Sequence, residues 1–277
     1  MNIKFLGTAA AEGVPAPFCR CPFCQNVRIV LDKEVRRRCS VMINKNVMID
    51  MGPDMLWTSI SFSICYDTIL FMLFSHTHFD HLSFSSLLLA HKYYRRTETK
   101  RKILIIGSKD LYNYIIYRIK EENVEYFWDI YDFKIVKPYD MLHLNEYTIN
   151  VLPSNHTIDQ QSLLFTISDN KRTIFYGTDT KPYNVNDLFI NLPKISLDVI
   201  ISDCTYGPYY NKGGRHLGLL DNIKIRNEMK NKKLITDKSI YILTHFSHDS
   251  LLPYTHMQNL GEKNHMVVAY DGLEIDI

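Results

Sequence analysis

The stretch HTHFDH, His76 to His81, follows directly on a strand-like apolar run from Thr68 to Phe74. It sets three imidazoles and a carboxylate within six residues. Neutral imidazole and carboxylate suit zinc, manganese and iron, and a tight turn at a strand end can aim alternate side chains at one metal and their neighbours at a second. The stretch therefore predicts a dinuclear metal site in which His76, His78, Asp80 and His81 supply four donors. A site of seven ligands needs three more from elsewhere in the chain.

Three residues stand in the same context, at or just after a strand end. His156 follows the strand ending at Leu152, in PSNHT; Asp179 follows the strand ending at Gly177, in FYGTDT; and His245 follows the strand ending at Thr244, in ILTHFSH. Short strand signals recur along the chain, paired by turn sequences such as Asn44-Lys45-Asn46 and Asp169-Asn170-Lys171. Helical patterns lie between them, at Pro53 to Ser63, Leu82 to Tyr94, Lys109 to Glu122 after a Ser108 cap, Asn184 to Leu192, Leu217 to Lys230 and Leu251 to Leu260. Interleaved hairpins and helices indicate an α/β layered fold, which leaves a cleft for chemistry at its strand ends. No linker or repeat interrupts the pattern, so one domain over residues 1–277 is expected.

Composition adds bounds. At 277 residues, with 46% hydrophobic and 22% charged residues, the chain can bury a sizeable core. A formal charge of +2 gives no global field that would select a polyanion. The start, Met1 to Leu6, reads as a strand rather than an export signal, and no apolar run reaches the roughly 20 residues a membrane span needs. A cytoplasmic protein without a membrane partner is expected. Of six cysteines, Cys39, Cys65 and Cys204 read as ordinary buried thiols. Cys19, Cys21 and Cys24 form a CxCxxC cluster able to present three thiolates to a tetrahedral zinc, with His248 as the fourth ligand. Lying three residues after His245, His248 would clamp the amino-terminal loop onto the loop that carries His245.

With its motif order of HxHxDH, then His, Asp and His, the chain resembles the metallo-β-lactamase fold superfamily. The resemblance implies an α/β, four-layer αββα sandwich in which His76, His78 and His156 hold one divalent metal. Asp80, His81 and His245 would hold the other, with Asp179 bridging. Asp50, in MIDMGPD, matches a residue that orients ligands from behind. The metals could be zinc, manganese or iron, with a separate structural zinc at the cysteines. The segments LGTAAAEGVPAPFCRCPFCQNVR, ILTHFSH and AYDGLEIDI narrow the resemblance to PhnP-like phosphodiesterases, typified by hydrolysis of 5-phosphoribosyl 1,2-cyclic phosphate. ISDCTYGPYYNKGGRHLGL matches the same subgroup and maps its catalytic histidine to His216, which with Asp80 completes the expected catalytic set.

The expected activity is hydrolysis of a small, cyclic or open, phosphodiester by a metal-bridging hydroxide, His216 protonating the leaving oxygen. A tRNA 3′-end endonuclease of the same superfamily is the alternative enzyme. The basic run KYYRRTETKRK, Lys92 to Lys102, could meet a phosphate backbone, but the long protruding arm of that family has no counterpart here, so nucleic acid is the weaker partner. A non-catalytic binding protein on the scaffold is the third reading. A homodimer stays open, because no feature of the sequence reads oligomeric state.

Overall fold

The computed structural model describes residues 1–97, 101–192, 195–209, 213–250 and 252–277. Its strands are β1 (Asn2–Gly7), β2 (Ser40–Ile43), β3 (Val47–Ile49), β4 (Phe71–Leu73), β5 (Ile103–Gly107), β6 (Tyr131–Ile135), β7 (Met141–Leu144), β8 (Tyr147–Pro153), β9 (Leu163–Ser168), β10 (Thr173–Gly177), β11 (Val199–Asp203), β12 (Ile240–Thr244), β13 (Val267–Val268) and β14 (Glu274–Asp276). They form two seven-stranded sheets, ordered β14-β1-β2-β3-β4-β5-β6 and β13-β12-β11-β10-β9-β8-β7. β1 pairs antiparallel with both β2 and β14 although no hairpin joins them, whereas helices cross over between the parallel strands: β3 through β6 run parallel, as do β10 through β13.

Strand alternation divides the apolar residues among three cores. In β4, Phe71 and Leu73 face the opposite sheet while Met72 faces outward; in β11, Val199 and Ile201 face inward and Ile200 outward. Strands buried on both faces read as continuous apolar runs for this reason. The inner core joins Phe5, Val41 and Ile49 to Phe165, Ile174 and Ile242 across the two sheets. Helices cover the outer faces: α3 (Phe84–Leu88), α4 (Lys109–Glu122) and α5 (Phe127–Ile130) on the first sheet, α6 (Val185–Phe189), α7 (Leu219–Asn231) and α8 (Tyr254–Lys263) on the second. The layers are αββα, as the resemblance implies.

The longest helix, α4, shows why these segments fold where they do. Ser108 accepts a hydrogen bond from the Leu111 N–H at 3.2 Å, Asn123 closes the other end in the left-handed region, and Leu111, Ile115 and Ile119 share the buried face. The helix expected from Leu82 to Tyr94 is shorter. It ends at Leu88, and the chain tightens into i→i−3 bonds while His91 is held between the Tyr93 and Tyr126 rings at 4.3 and 4.2 Å. Two helices, α1 (Pro22–Val30) and α5, and two strands, β7 and β14, go beyond the sequence reading. Cys39 and Cys204 are buried as expected, but Cys65 is exposed, since it precedes a 3₁₀ turn at Tyr66–Thr68 rather than continuing a strand. The start of the helix expected at Leu251, the centre of the basic run at Glu98 to Lys100, and Tyr210 to Lys212 of the His216 segment lie outside the described residues. Among the described residues, no helix is long and apolar enough to cross a membrane.

Candidate metal centre

All the anticipated catalytic ligands lie past the carboxyl ends of their strands, on one edge where the two sheets meet. The first sheet supplies the HTHFDH turn after β4; the second supplies His156 after β8, Asp179 after β10 and His245 after β12. The turn is closed by the His81 and Leu82 N–H groups donating to the His78 carbonyl at 3.0 and 2.9 Å, and Ser83 then caps α3. It rests directly on Gly52: a β-carbon there would sit 2.2 Å from the Asp80 carbonyl oxygen. Replacing Gly52 by Ala must therefore displace the ligand turn. The expected result is a loss of bound metal together with about 1–3 kcal/mol of stability, read by elemental analysis and by denaturant unfolding.

The donor atoms converge. His76 Nε2 lies 2.8 Å from His78 Nδ1, which is 3.4 Å from His156 Nε2. On the other side His81 Nε2 lies 3.3 Å from His245 Nε2, with Asp80 Oδ2 3.2 Å from His81 and 3.8 Å from His245. Asp179 stands between the groups, Oδ1 at 3.4 Å from His156 Nε2 and Oδ2 at 2.8 and 3.0 Å from His81 and His245. This buried Oδ2 nevertheless has no hydrogen-bond partner of acceptable geometry. Facing nitrogens that cannot both carry protons, around a carboxylate oxygen left unsatisfied, are a donor set that divalent cations fit.

Other groups fix which nitrogen of each ring faces the cluster. The Nδ1 atoms of His76, His81, His156 and His245 are taken by Ser75 Oγ at 2.9 Å, Asp50 Oδ2 at 2.8 Å, the Arg215 carbonyl at 3.2 Å and Thr205 Oγ1 at 2.8 Å. Their Nε2 atoms are thereby left to donate lone pairs. Asp50 is the orienting residue anticipated from the sequence, and it also accepts from the Ser75 N–H and the Tyr176 hydroxyl. Asp50, Asp179 and His245 all adopt positive φ, at 58°, 52° and 62°. Non-glycine residues in that region carry strain, and here it occurs at three strand ends that feed the site.

Electrostatics favour a cation. Burial, reinforced by His81, holds the His76 imidazole well below its usual pKa, and burial lowers His156 as well. Burial opposes ionisation of Asp179 and Asp80, but the neighbouring histidines outweigh it and hold both carboxyls below their usual range. The same carboxylates, working against burial, hold His81 and His245 well above the usual imidazole value, so protons on these two rings balance the ionised oxygens where a divalent cation would.

His216 reaches the same cleft. Its Nδ1 lies 2.9 Å from Asp203 Oδ2 and 3.6 Å from Asp179 Oδ1, and its ring stacks on His245. Burial works against its charge, yet Asp203 holds its pKa above the usual value. Sequence reasoning missed Asp203 as a functional residue. It is fully buried and accepts from the N–H groups of Asp179, Thr205 and Leu217, each at 3.0 Å, so one carboxylate ties the loops of Asp179 and His216 together. In the sequence it is visible only as the acidic residue that ends an apolar strand and opens the Asp203-Cys204 pair of ISDCTYG.

Cys19, Cys21, Cys24 and His248 are brought together as anticipated, with donor atoms all within 4.8 Å. Pro22 and the Cys21 thiol, which accepts from the Cys24 N–H at 3.4 Å, start α1 and so fix the cluster's shape. That N–H holds Cys21 down at about 6, while burial pushes Cys24 up to about 11. Cys24 Sγ lies 3.6 Å from His248 Nδ1. Three sulfurs and a nitrogen suit a closed tetrahedral zinc site.

The family model described as Anti-Pycsar protein Apyc1 matches residues 40–251. The chain belongs to the Apyc1 family. Comparison with curated proteins finds no match. Among solved structures, this Apyc1-family chain is similar to a diphosphatase from the PhnP family, with 18% identity, a TM-score of 0.75 and coverage of 99% of this chain and 96% of that one. It is also similar to Zn(2+)-bound PqqB from Methylobacterium extorquens, at 14% identity and TM-score 0.71 over all of both chains. Human tRNase Z, short form, gives 16% identity and TM-score 0.69 over 100% of this chain and 99% of that one. The fold of this Apyc1-family member is the metallo-β-lactamase fold.

Proposed function

We propose that the protein is a metal-dependent hydrolase of small phosphodiesters, cyclic ones included. The observation that carries the proposal is the convergence of seven donors beside His216, a histidine whose charge is supported by a buried carboxylate, in a cleft of about 310 Å³. That volume suits a small molecule. His76, His78 and His156 would hold one cation, Asp80, His81 and His245 the other, with Asp179 shared. Bound there, two divalent ions supply a water nucleophile that ionises near neutral pH and neutralise charge on the phosphoryl oxygens.

The chain's own groups do the rest. Asp203 occupies Nδ1 of His216, so Nε2 is the atom that delivers a proton to the departing oxygen. Arg215 lines the cleft next to it and is suited to the negative charge of the diester. Ala10 and Ala11 also line the cleft. The basic run at Lys92 to Lys102 supports a nucleic-acid substrate poorly: Tyr94, Arg95 and Arg101 line a separate cavity beneath α2 (Met55–Phe62) that, among the described residues, shares none with the metal cleft.

The test is an assay of the purified protein, its metal content measured, on bis-p-nitrophenyl phosphate, a ribosyl cyclic phosphate, a lactone and a precursor tRNA. Turnover of the first two is expected. Metal-replete protein that cleaves neither, or prefers the lactone or the tRNA, would refute the proposal. The cysteine cluster is proposed to hold a structural zinc. Replacing Cys21 and Cys24 together by Ser should remove one equivalent of zinc and lower Tm by about 5–10 °C, with calorimetry and elemental analysis as the readouts.

A further inference from the structure

Between the cysteine cluster and the catalytic cleft stands one side chain that neither site claims. Glu12 lines the cleft, yet its Oε1 accepts hydrogen bonds from the Ser247 hydroxyl at 2.7 Å and from the His248 N–H at 3.2 Å. It lies 4.0 Å from His248 Nε2, and its side chain is 30% exposed. Only two residues separate His245, on the catalytic side, from His248, on the cysteine side.

The platform under Glu12 is rigid. The Phe246 N–H donates to the Thr8 carbonyl and the Ala10 N–H to the Phe246 carbonyl, both at 2.9 Å, while Val14 and Arg36 exchange backbone hydrogen bonds at 2.9 and 2.8 Å. Arg36 is buried and donates to Thr8 Oγ1 at 2.8 Å and to the Ala269 carbonyl at 2.6 Å. The loop bearing Glu12 is therefore anchored at both ends before the carboxylate reaches residues 247 and 248. His245 itself has positive φ, a conformation that the backbone leaves readily unless neighbours hold it.

We infer that Glu12 is a positioning residue: by fixing Ser247 and His248 it sets the spacing between the two metal sites and holds His245 in its ligating conformation. The inference rests on the reading of His245 and His248 as ligands of separate cations. It acts through hydrogen-bond acceptance rather than charge, since one oxygen serves both donors.

Cobalt(II) titration of the full-length protein tests it, because thiolate-bound cobalt has an intense charge-transfer band that the His and Asp centre lacks. In Glu12→Ala the thiolate band should persist, because its three sulfur donors are untouched, while loading of the His and Asp centre requires at least about 10-fold more cobalt. Glu12→Gln keeps an acceptor oxygen and should restore loading to near the unsubstituted level. Loading in Glu12→Ala equal to that of the unsubstituted protein would overturn the inference. So would a Glu12→Gln protein as impaired as Glu12→Ala, which would assign the effect to charge in the cleft. The titration does not depend on turnover, so failure of the proposed activity would be separately visible.

Discussion

Replacing Asp179 by Asn is expected to abolish the activity almost completely, lowering kcat/KM by roughly 10³-fold or more. The substitution keeps shape and volume but removes the charge from the one carboxylate whose two oxygens face both halves of the centre, Oδ1 toward His156 and Oδ2 toward His81 and His245. An amide would also direct an N–H into a ring of nitrogens that are meant to give lone pairs. Metal content should fall with the activity, as measured by elemental analysis after gel filtration. Full retention of both metals together with full turnover would show that Asp179 is a turn residue and not a ligand.

The second large effect is leaving-group dependent. His216→Ala should reduce kcat by about 10²–10⁴-fold on diesters whose leaving oxygen is an alkoxide, the usual contribution of a general acid. For p-nitrophenolate, which departs without protonation, the loss should be far smaller. Metal content should not change. Equal losses on both classes of substrate, or loss of metal, would mean that His216 binds rather than protonates. Asp203→Asn tests the same device one step further back: it should weaken the alkoxide reaction preferentially, since an amide supports the His216 charge less well than the carboxylate at 2.9 Å.

Much of the site is legible in the sequence because its information is local or punctuated. HTHFDH carries four donors within a single turn, and the CxCxxC cluster needs only one distant partner. His156, Asp179 and His245 are readable because each lies just past a strand-like run, and those runs are mostly apolar because β8, β10 and β12 are largely buried on both faces. Asp203 ends such a run as well, but a carboxylate that receives backbone N–H groups looks the same in sequence as one that binds a cation. Ser75, Thr205 and the Arg215 carbonyl are illegible for a similar reason: they act through the geometry of a neighbouring ring. Helix α1 escapes the periodicity because its first turn is built from a proline and a thiol cap, and only Cys24 and Val27 of it are buried. Strand β7 alternates exposed with half-buried residues at a sheet edge, where the apolar signal is weak.

The division of ligands between the sheets has a consequence for how the molecule comes apart. Residues before 82 supply one set of donors, residues after 155 the other, and each set is attached to its own sheet. A cation held by both would act as a tie across the sandwich, so its occupancy and the docking of the layers would be one equilibrium. By mass action such a tie adds about 2.7 kcal/mol when free metal stands at a hundred times its dissociation constant. Chelation would then be felt first as a loosening of the seam between the two sheets, before either sheet loses its own strands.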